Sequence, residues 1–457
     1  MWTVVHICRG LSTRRGSVDS SPRRRRLHCN RVAREGRGPY DPSVPLRLRP
    51  PAVALLALAS TSCSHDWDRF EPRDRAGRVD HVVVNVTTQQ TTASTEYVDV
   101  PGAEIPAAFF TPGTKYLLRV TGQVANTEGA YRSYARLVHG DEPFDAVYHQ
   151  HSLGTERWSS FEFLTVWQAV GGEGVGAQFR AQSPHVARID QLVMAAISLE
   201  DGLVEGTDWF FHDRYPSTAL GPTPSDGAMV TVDVAGTWLV FANVNIHAPH
   251  VMDVSGPSFA SRLISSEEAI DSPPEWRASW WGGGGSLTVN TGVSLVVSTT
   301  GPRTFIEQSE ADAAGPTRNR STVFALNLER FRHFAHAFAD TRVELPATDF
   351  GQEILSIDVE PDVRGDVLAG AFWAFDSAGR QASYRLQVDG EDDPETQTSD
   401  AYLLSCGKGA FQAPMVASAL AELAAERHEI RLDAGATDTG TAALHRSLWA
   451  FTLDLAP

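Results

Sequence analysis

The strongest constraint on this chain is a pattern that it states three times. The run Ala196-Ile-Ser-Leu-Glu200 returns as Ala325-Leu-Asn-Leu-Glu329 and again as Ala450-Phe-Thr-Leu-Asp454, spaced by 129 and 125 residues. An Arg-Leu pair (Arg136-Leu137, Arg262-Leu263, Arg385-Leu386) recurs at 126 and 123. A Gly leading an apolar run (Gly113, Gly236, Gly365) recurs at 123 and 129. Three markers in one order at one period define a tandem repeat, and self-similarity of this kind decides the architecture before any local propensity does.

The texture between the markers is that of strands. From Val79 onward, short runs of Val, Thr, Leu, Phe and Trp alternate with Gly, Pro, Asp and Ser turns, as in an all-β sandwich or barrel. In each closing run the Ala and the polar residue fall on one face and the two apolar residues on the other. Each turn Gly suits a backbone with φ > 0 before a central strand. The Arg of the Arg-Leu pair either holds a carboxylate or faces solvent. Residues 416–427 are rich in helix formers. The equivalent stretch of the first copy, Glu162-Phe-Leu-Thr-Val-Trp-Gln168, reads as strand, and the repeat favours strand in both. The expected fold is all-β, with three tandem antiparallel sandwiches of about 125 residues each: 79–200, 201–329 and 330–457.

Units of this size, with a Thr-Pro-Gly-Thr-x-Tyr-Leu-Leu opening strand (residues 111–118), an Arg-Leu strand and a closing Ala-Ile-x-Leu strand, resemble the jelly-roll domains of the TNF-like class. The likeness is to the versions found on virion and bacterial surface proteins, and it covers about 370 residues from Val79 on. It implies ten-stranded sandwiches that associate as trimers, bind through surface loops and carry no catalysis. Three copies in one chain then raise the expectation that they pack about a pseudo-threefold axis in place of a homotrimer.

The N-terminal part has a different character. Residues 1–43 hold ten Arg and three acids and read as a disordered extension. Two arginines (Arg47, Arg49), an apolar run from Ala52 to Ala59 and the small residues Ser60, Thr61 and Ser62 then lead to Cys63. That is the n-region, h-region and cleavage site of a secretory signal. A Cys directly after the small residues resembles the lipobox of bacterial lipoproteins, although Ser60 stands where Leu is usual. The resemblance implies a signal over 44–62, diacylglycerol on the Cys63 sulfur and a membrane or cell-surface location. The h-region lies about fifty residues in, so the expected start is Val44, read from a GTG codon, with 1–43 a mis-assigned extension. Residues 63–78 are charged and patternless, as a tether would be.

Charge is informative only once this leader is set aside. The whole chain carries 39 basic and 56 acidic residues. Removing twelve arginines and three acids leaves 27 against 53, a net charge of −26. A balance of that sign excludes a nucleic-acid partner, which is held through Lys and Arg. No apolar run approaches the roughly 20 residues that span a bilayer. Cys8 and Cys29 go with the leader, leaving Cys63 and Cys406, so no disulfide framework is expected.

Candidate chemical positions are few. His149 and His151 stand at i and i+2 of a strand-like stretch, with Glu156 nearby; two imidazoles on one face can share an ion. The spacing resembles half of a cupin metal motif, without its glycines or its second half. His247 with His250, and His333 with His336, are looser pairs. Asp389, Glu391, Asp392 and Asp393 crowd one turn with the hard oxygen ligands that Ca²⁺ prefers, so Ca²⁺ is the one cofactor entertained. Trp276, Trp280 and Trp281 beside a run of four glycines are the candidates for ligand contact, since exposed indoles stack on sugars or partner side chains. No Gly-x-Ser-x-Gly, His-Glu-x-x-His or Cys-x-x-Cys is present. The reading is therefore a non-enzymatic, lipid-anchored surface array that binds a glycan or a surface protein. A secreted β-sandwich enzyme, or an array of carbohydrate-binding modules, is the alternative.

Overall fold

The computed structural model describes residues 77–127, 131–152, 159–182, 185–215, 217–248, 258–265, 275–279, 287–312, 314–348, 351–376, 381–390, 398–402, 412–436 and 440–457. Among them there is no α-helix, only strands and two 3₁₀ turns, Ala107–Phe109 and Leu328–Arg330. Nine strands come first: β1 (His81–Val86), β2 (Gln90–Thr92), β3 (Val98–Ile105), β4 (Lys115–Asn126), β5 (Tyr131–His139), β6 (Glu142–Ser152), β7 (Ser159–Gln168), β8 (Val175–Ala181) and β9 (Ala187–Ser198). The next nine are β10 (Trp209–Arg214), β11 (Thr218–Ala219), β12 (Ser225–Val232), β13 (Gly236–Ala248), β14 (Ser258–Ser265), β15 (Glu275–Ser279), β16 (Leu287–Thr299), β17 (Arg303–Ala311) and β18 (Thr317–Asn327). The last nine are β19 (Phe334–Ala339), β20 (Val343–Glu344), β21 (Gln352–Val359), β22 (Gly365–Asp376), β23 (Gln381–Val388), β24 (Thr398–Tyr402), β25 (Gln412–Leu423), β26 (His428–Ala436) and β27 (Ala442–Thr452).

Pairing repeats with the same step of nine. One sheet runs β1-β9-β4-β7 and another β3-β8-β5-β6. The second group gives β10-β18-β13-β16 and β12-β17-β14-β15; the third gives β19-β27-β22-β25 and β21-β26-β23-β24. A single bridge, Arg277 to Gln412, joins β15 to β25 across the second and third groups. The strands pair antiparallel throughout these sheets. Each group has nine described strands rather than the ten that the jelly-roll resemblance implies. The helix formers at 416–423 lie in strand β25, where pairing with β22 along its whole length overrides propensity.

Burial explains why the sheets fall into two kinds. In β8 every second residue is buried, and β17 alternates in the same way. Such strands face the core with one side only. In β4 all but the first of twelve residues are buried, and the second halves of β9, β18 and β27 are buried without a break. A strand buried on both faces has a second partner besides its own sandwich.

One face of these strands closes the sandwich cores. Leu118 and Ala196 pack in the first, Val240 and Ala325 in the second, Ala369 and Ala450 in the third. The other face meets a fourth cluster, to which all three groups contribute: Leu117 and Ile197, Leu239 and Leu326, Leu368 and Phe451. The closing-run marker thus has a physical meaning. Its Ala fills a sandwich and its two apolar residues fill the shared cluster. Beyond that cluster, strand β6 lies against β16, β15 against β25, and β24 against β7.

Glycine explains less than expected. Gly113 has φ 86°, but Gly365 has no positive φ. A Cβ on Gly365 would stand 2.7 Å from Asp454 Oδ2, so a side chain there would have to shift that carboxylate.

Candidate functional site

Several candidate positions lie outside the described residues: Cys63, Glu156, His250, Trp280, Trp281, Glu391, Asp392, Asp393 and Cys406. His149 and His151 stand on β6, opposite Tyr134 and Arg132 of β5 in the pairing. Trp276 stands on β15 opposite Ser261. Both β6 and β15 run along a neighbouring group. Asp389 has a local role. Its Oδ2 is 2.7 Å from His428 Nδ1, and its Oδ1 accepts from the Glu429 N–H at 2.9 Å. His333 Nε2 is 3.0 Å from Asp362 Oδ1. Among the described residues no group of three His, Cys, Asp or Glu is placed to hold a metal ion.

The recurring Arg of the Arg-Leu pair does find a partner on the facing strand. Arg136 Nε donates to Gln178 at 2.8 Å and Arg262 Nε to Gln308 at 2.9 Å; Arg385 Nη2 reaches Asp433 at 3.4 Å. Each pair is directly opposite in register. Gln178 and Gln308 pass the ladder on to Asp99 and Asp226 at 2.8 and 2.9 Å. In the first group the ladder also carries stacked aromatic rings. Arg136 lies 4.0 Å over Tyr97, and Arg180 lies 4.7 Å over Tyr97 and 4.3 Å over Tyr134. Burial pushes the Tyr97 hydroxyl above its usual pKa, against the pull of both guanidinium groups.

The most fully built polar constellation sits where the three groups meet. Arg119 of β4 donates from Nε to Glu162 Oε1 of β7 at 2.6 Å, with the two side chains 4% and 2% exposed. The guanidinium carbon lies 5.4 Å from the Phe241 ring of β13 and 5.5 Å from the Trp449 ring of β27. A desolvated cation over aromatic faces gains about 2 kcal/mol, which offsets part of the cost of burying it. Asn243 donates to the Glu162 carbonyl at 3.0 Å, and Trp449 Nε1 donates to Ser294 Oγ at 3.0 Å. Nearby, Arg320 of β18 binds both oxygens of Asp213 and donates to Thr165 of β7 at 3.1 Å.

Two further charged centres are buried. Inside the second sandwich, Glu307 accepts from Ser261 and Ser321, each at 2.8 Å, from Ser309, and from Arg318 at 3.2 Å. Burial pushes the Glu307 pKa upward, with Arg318 and the hydroxyls pulling back. Asp366, at the start of β22, binds Arg78 and stands 3.0 Å from His81 Nε2, while His81 Nδ1 stands 3.0 Å from the Val79 carbonyl oxygen. Burial lowers the His81 pKa to about 4, against the pull of its Val79 carbonyl contact.

Sequence reasoning singled out none of these. A signal was present, since Arg119 interrupts Tyr-Leu-Leu-Arg-Val and Glu307 occupies an inward position two residues after Phe305. The partners, however, lie on other strands at spacings that no motif records.

No protein-family profile matches the chain, and no curated protein matches it. Among solved structures, the tandem CBM22 domains of Paenibacillus barcinonensis Xyn10C are 11% identical, covering 56% of this chain and 99% of that one at a TM-score of 0.19. The Sulfolobus turreted icosahedral virus structure is 11% identical, covering 81% and 92% at 0.17. The Gt strain of infectious bursal disease virus is 10% identical, covering 85% and 84% at 0.20. Overlaps this loose assign no ligand, partner or activity to the chain.

Proposed function

We propose that this is an exported, lipid-anchored surface protein whose task is structural and ligand-binding rather than catalytic. Residues 79–200, 201–329 and 330–457 are three copies of one jelly-roll sandwich, closed on one another as the subunits of a trimer would be. The observation that supports this most is the shared apolar cluster, to which each copy gives its closing strand. The three contacts of β6 with β16, β15 with β25 and β24 with β7 run in one direction from copy to copy, as a ring requires. The anchor rests on the signal-like segment ending at Cys63, and the acidic body suits a soluble array outside the cytoplasm. The intended partner is a glycan or a surface protein met through Trp276, Trp280 or Trp281.

Intact mass of the native membrane-fraction protein tests the anchor. A mature chain starting at diacylglyceryl-Cys63 is expected, and Cys63→Ser should leave the protein unprocessed. A mature chain that begins before Ser60 contradicts the reading. Glycan-array binding lost on Trp280→Ala or Trp281→Ala would name the ligand class. Stoichiometric transition metal lost on changing His149 and His151 to Ala would point to a metal enzyme instead.

A further inference from the structure

A homotrimer repeats its residues around its axis, and the shared cluster does so only in part. The first level keeps the symmetry. Leu117, Leu239 and Leu368 are equivalent by register, as are their partners Ile197, Leu326 and Phe451. Two residues further along the same strands, the equivalent positions are Arg119, Phe241 and Gly370, paired with Ala195, Phe324 and Trp449. On the β7, β16 and β25 side the next positions are Glu162, Gly292 and Val416. Symmetry is lost here in both size and charge.

The unlike residues fit one another. A Cβ on Gly292 would overlap the Glu162 carboxylate, and a Cβ on Gly370 would overlap the Trp449 ring. Arg119 of the first copy stacks on Phe241 of the second and Trp449 of the third, and Trp449 donates to Ser294 of the second. Each copy therefore meets a different surface in each neighbour. Three copies of the first would bring together three buried Arg119–Glu162 pairs with no glycine socket for the carboxylates and no rings for the guanidinium groups.

We propose that the Arg119–Glu162 pair, its Gly292 socket and the Phe241 and Trp449 rings form a registration key. The key makes each copy select its neighbours within one chain, in one order, over the same copy from another chain. The proposal rests on the fused-trimer reading. A buried ion pair is a poor source of stability compared with apolar residues of equal volume, but it penalises every arrangement that leaves a charge unpaired. The apolar level above supplies adhesion that cannot tell one copy from another, and the polar level supplies the choice.

The test uses the full chain, refolded from urea at high concentration and analysed by size-exclusion chromatography with light scattering. The wild type should return as monomer. Arg119→Met/Glu162→Met, which keeps the volume and removes both charges, should fold with an unchanged unfolding midpoint yet return a several-fold larger share of dimers and higher species. An all-monomer result overturns the proposal. So does loss of folding, because the pair would then support the fold rather than choose between arrangements. Gly292→Ala should lower the melting temperature, and adding Arg119→Met with Glu162→Ala, which empties the socket without stranding a buried charge, should restore part of the loss; no restoration also overturns the proposal. The reading beneath it fails separately, if solution scattering of the wild type shows an extended string.

Discussion

The second and third sandwiches place opposite chemistry on the same backbone positions. In the second, Leu263 stands opposite Glu307 and Ser261 opposite Ser309. In the third, Leu386 stands opposite Leu432 and Tyr384 opposite Ala434. Both interiors are closed to water: Glu307, Leu432 and Tyr384 all have essentially no exposed surface. One is filled by a carboxylate with three hydroxyls and a guanidinium, the other by an aromatic ring and aliphatic side chains. The strand order is the same in both. What the sandwich requires is that the inward positions be filled, not that they be apolar; a buried carboxylate is accommodated where hydroxyls and a guanidinium meet it.

The comparison breaks most sharply if one member of the polar interior is removed. Glu307→Ala takes the acceptor from three hydroxyls and the counter-charge from Arg318, which keeps the Ser225 and Asp226 carbonyls, and should cost about 3–5 kcal/mol. Leu432→Ala in the third sandwich removes packing alone, at about 2–5 kcal/mol. Urea unfolding of both variants checks this, and a loss below about 1 kcal/mol for Glu307→Ala would show that the carboxylate does not organise the interior.

Acidity acts on Glu307 of the second sandwich and His81 of the first in opposite senses. Glu307 has a pKa raised by burial, so its contribution is full below its unfolded value and is lost as pH rises through the folded one. His81, on β1 beside Asp366 of β22, is lowered by burial from 6.5 to about 4. Its contribution is full above 6.5 and is lost as pH falls toward 4, by up to roughly 3 kcal/mol. Urea midpoints at pH 7 and pH 4.5 should therefore differ less for His81→Gln than for the wild type. An equal difference contradicts the assignment.

A smaller effect tests the close approaches that separate the copies. Gly370→Ala meets the Trp449 ring and should cost about 1–3 kcal/mol. Gly221→Ala, where a Cβ meets nothing within 4 Å, should change stability by less than about 0.5 kcal/mol. Equal melting temperatures for the two variants would show that Gly370 is not needed for packing.

The sequence exposed the period and the strands because both are local. A run such as Ala325-Leu-Asn-Leu declares its two faces by alternation, and the repeat supplied the strand at 416–423 that propensity alone would have made a helix. What alternation cannot show is which second surface covers a strand buried on both sides. Leu117 and Leu118 look alike in sequence, yet one fills the shared cluster and the other a sandwich. The charged positions were harder still. Arg119 and Glu162 lie 43 residues apart, and their rings come from residues 241 and 449. Asp389 accepts from the Glu429 N–H and meets His428, two contacts that its run of acidic neighbours did not signal.

Small-angle X-ray scattering of residues 79–457 tests the proposed closed packing of the three sandwiches most directly. A body of about 380 residues packed around one shared cluster should give a radius of gyration near 21 Å, on the scaling of compact proteins. Three sandwiches joined end to end would give a value above about 30 Å and would contradict the account.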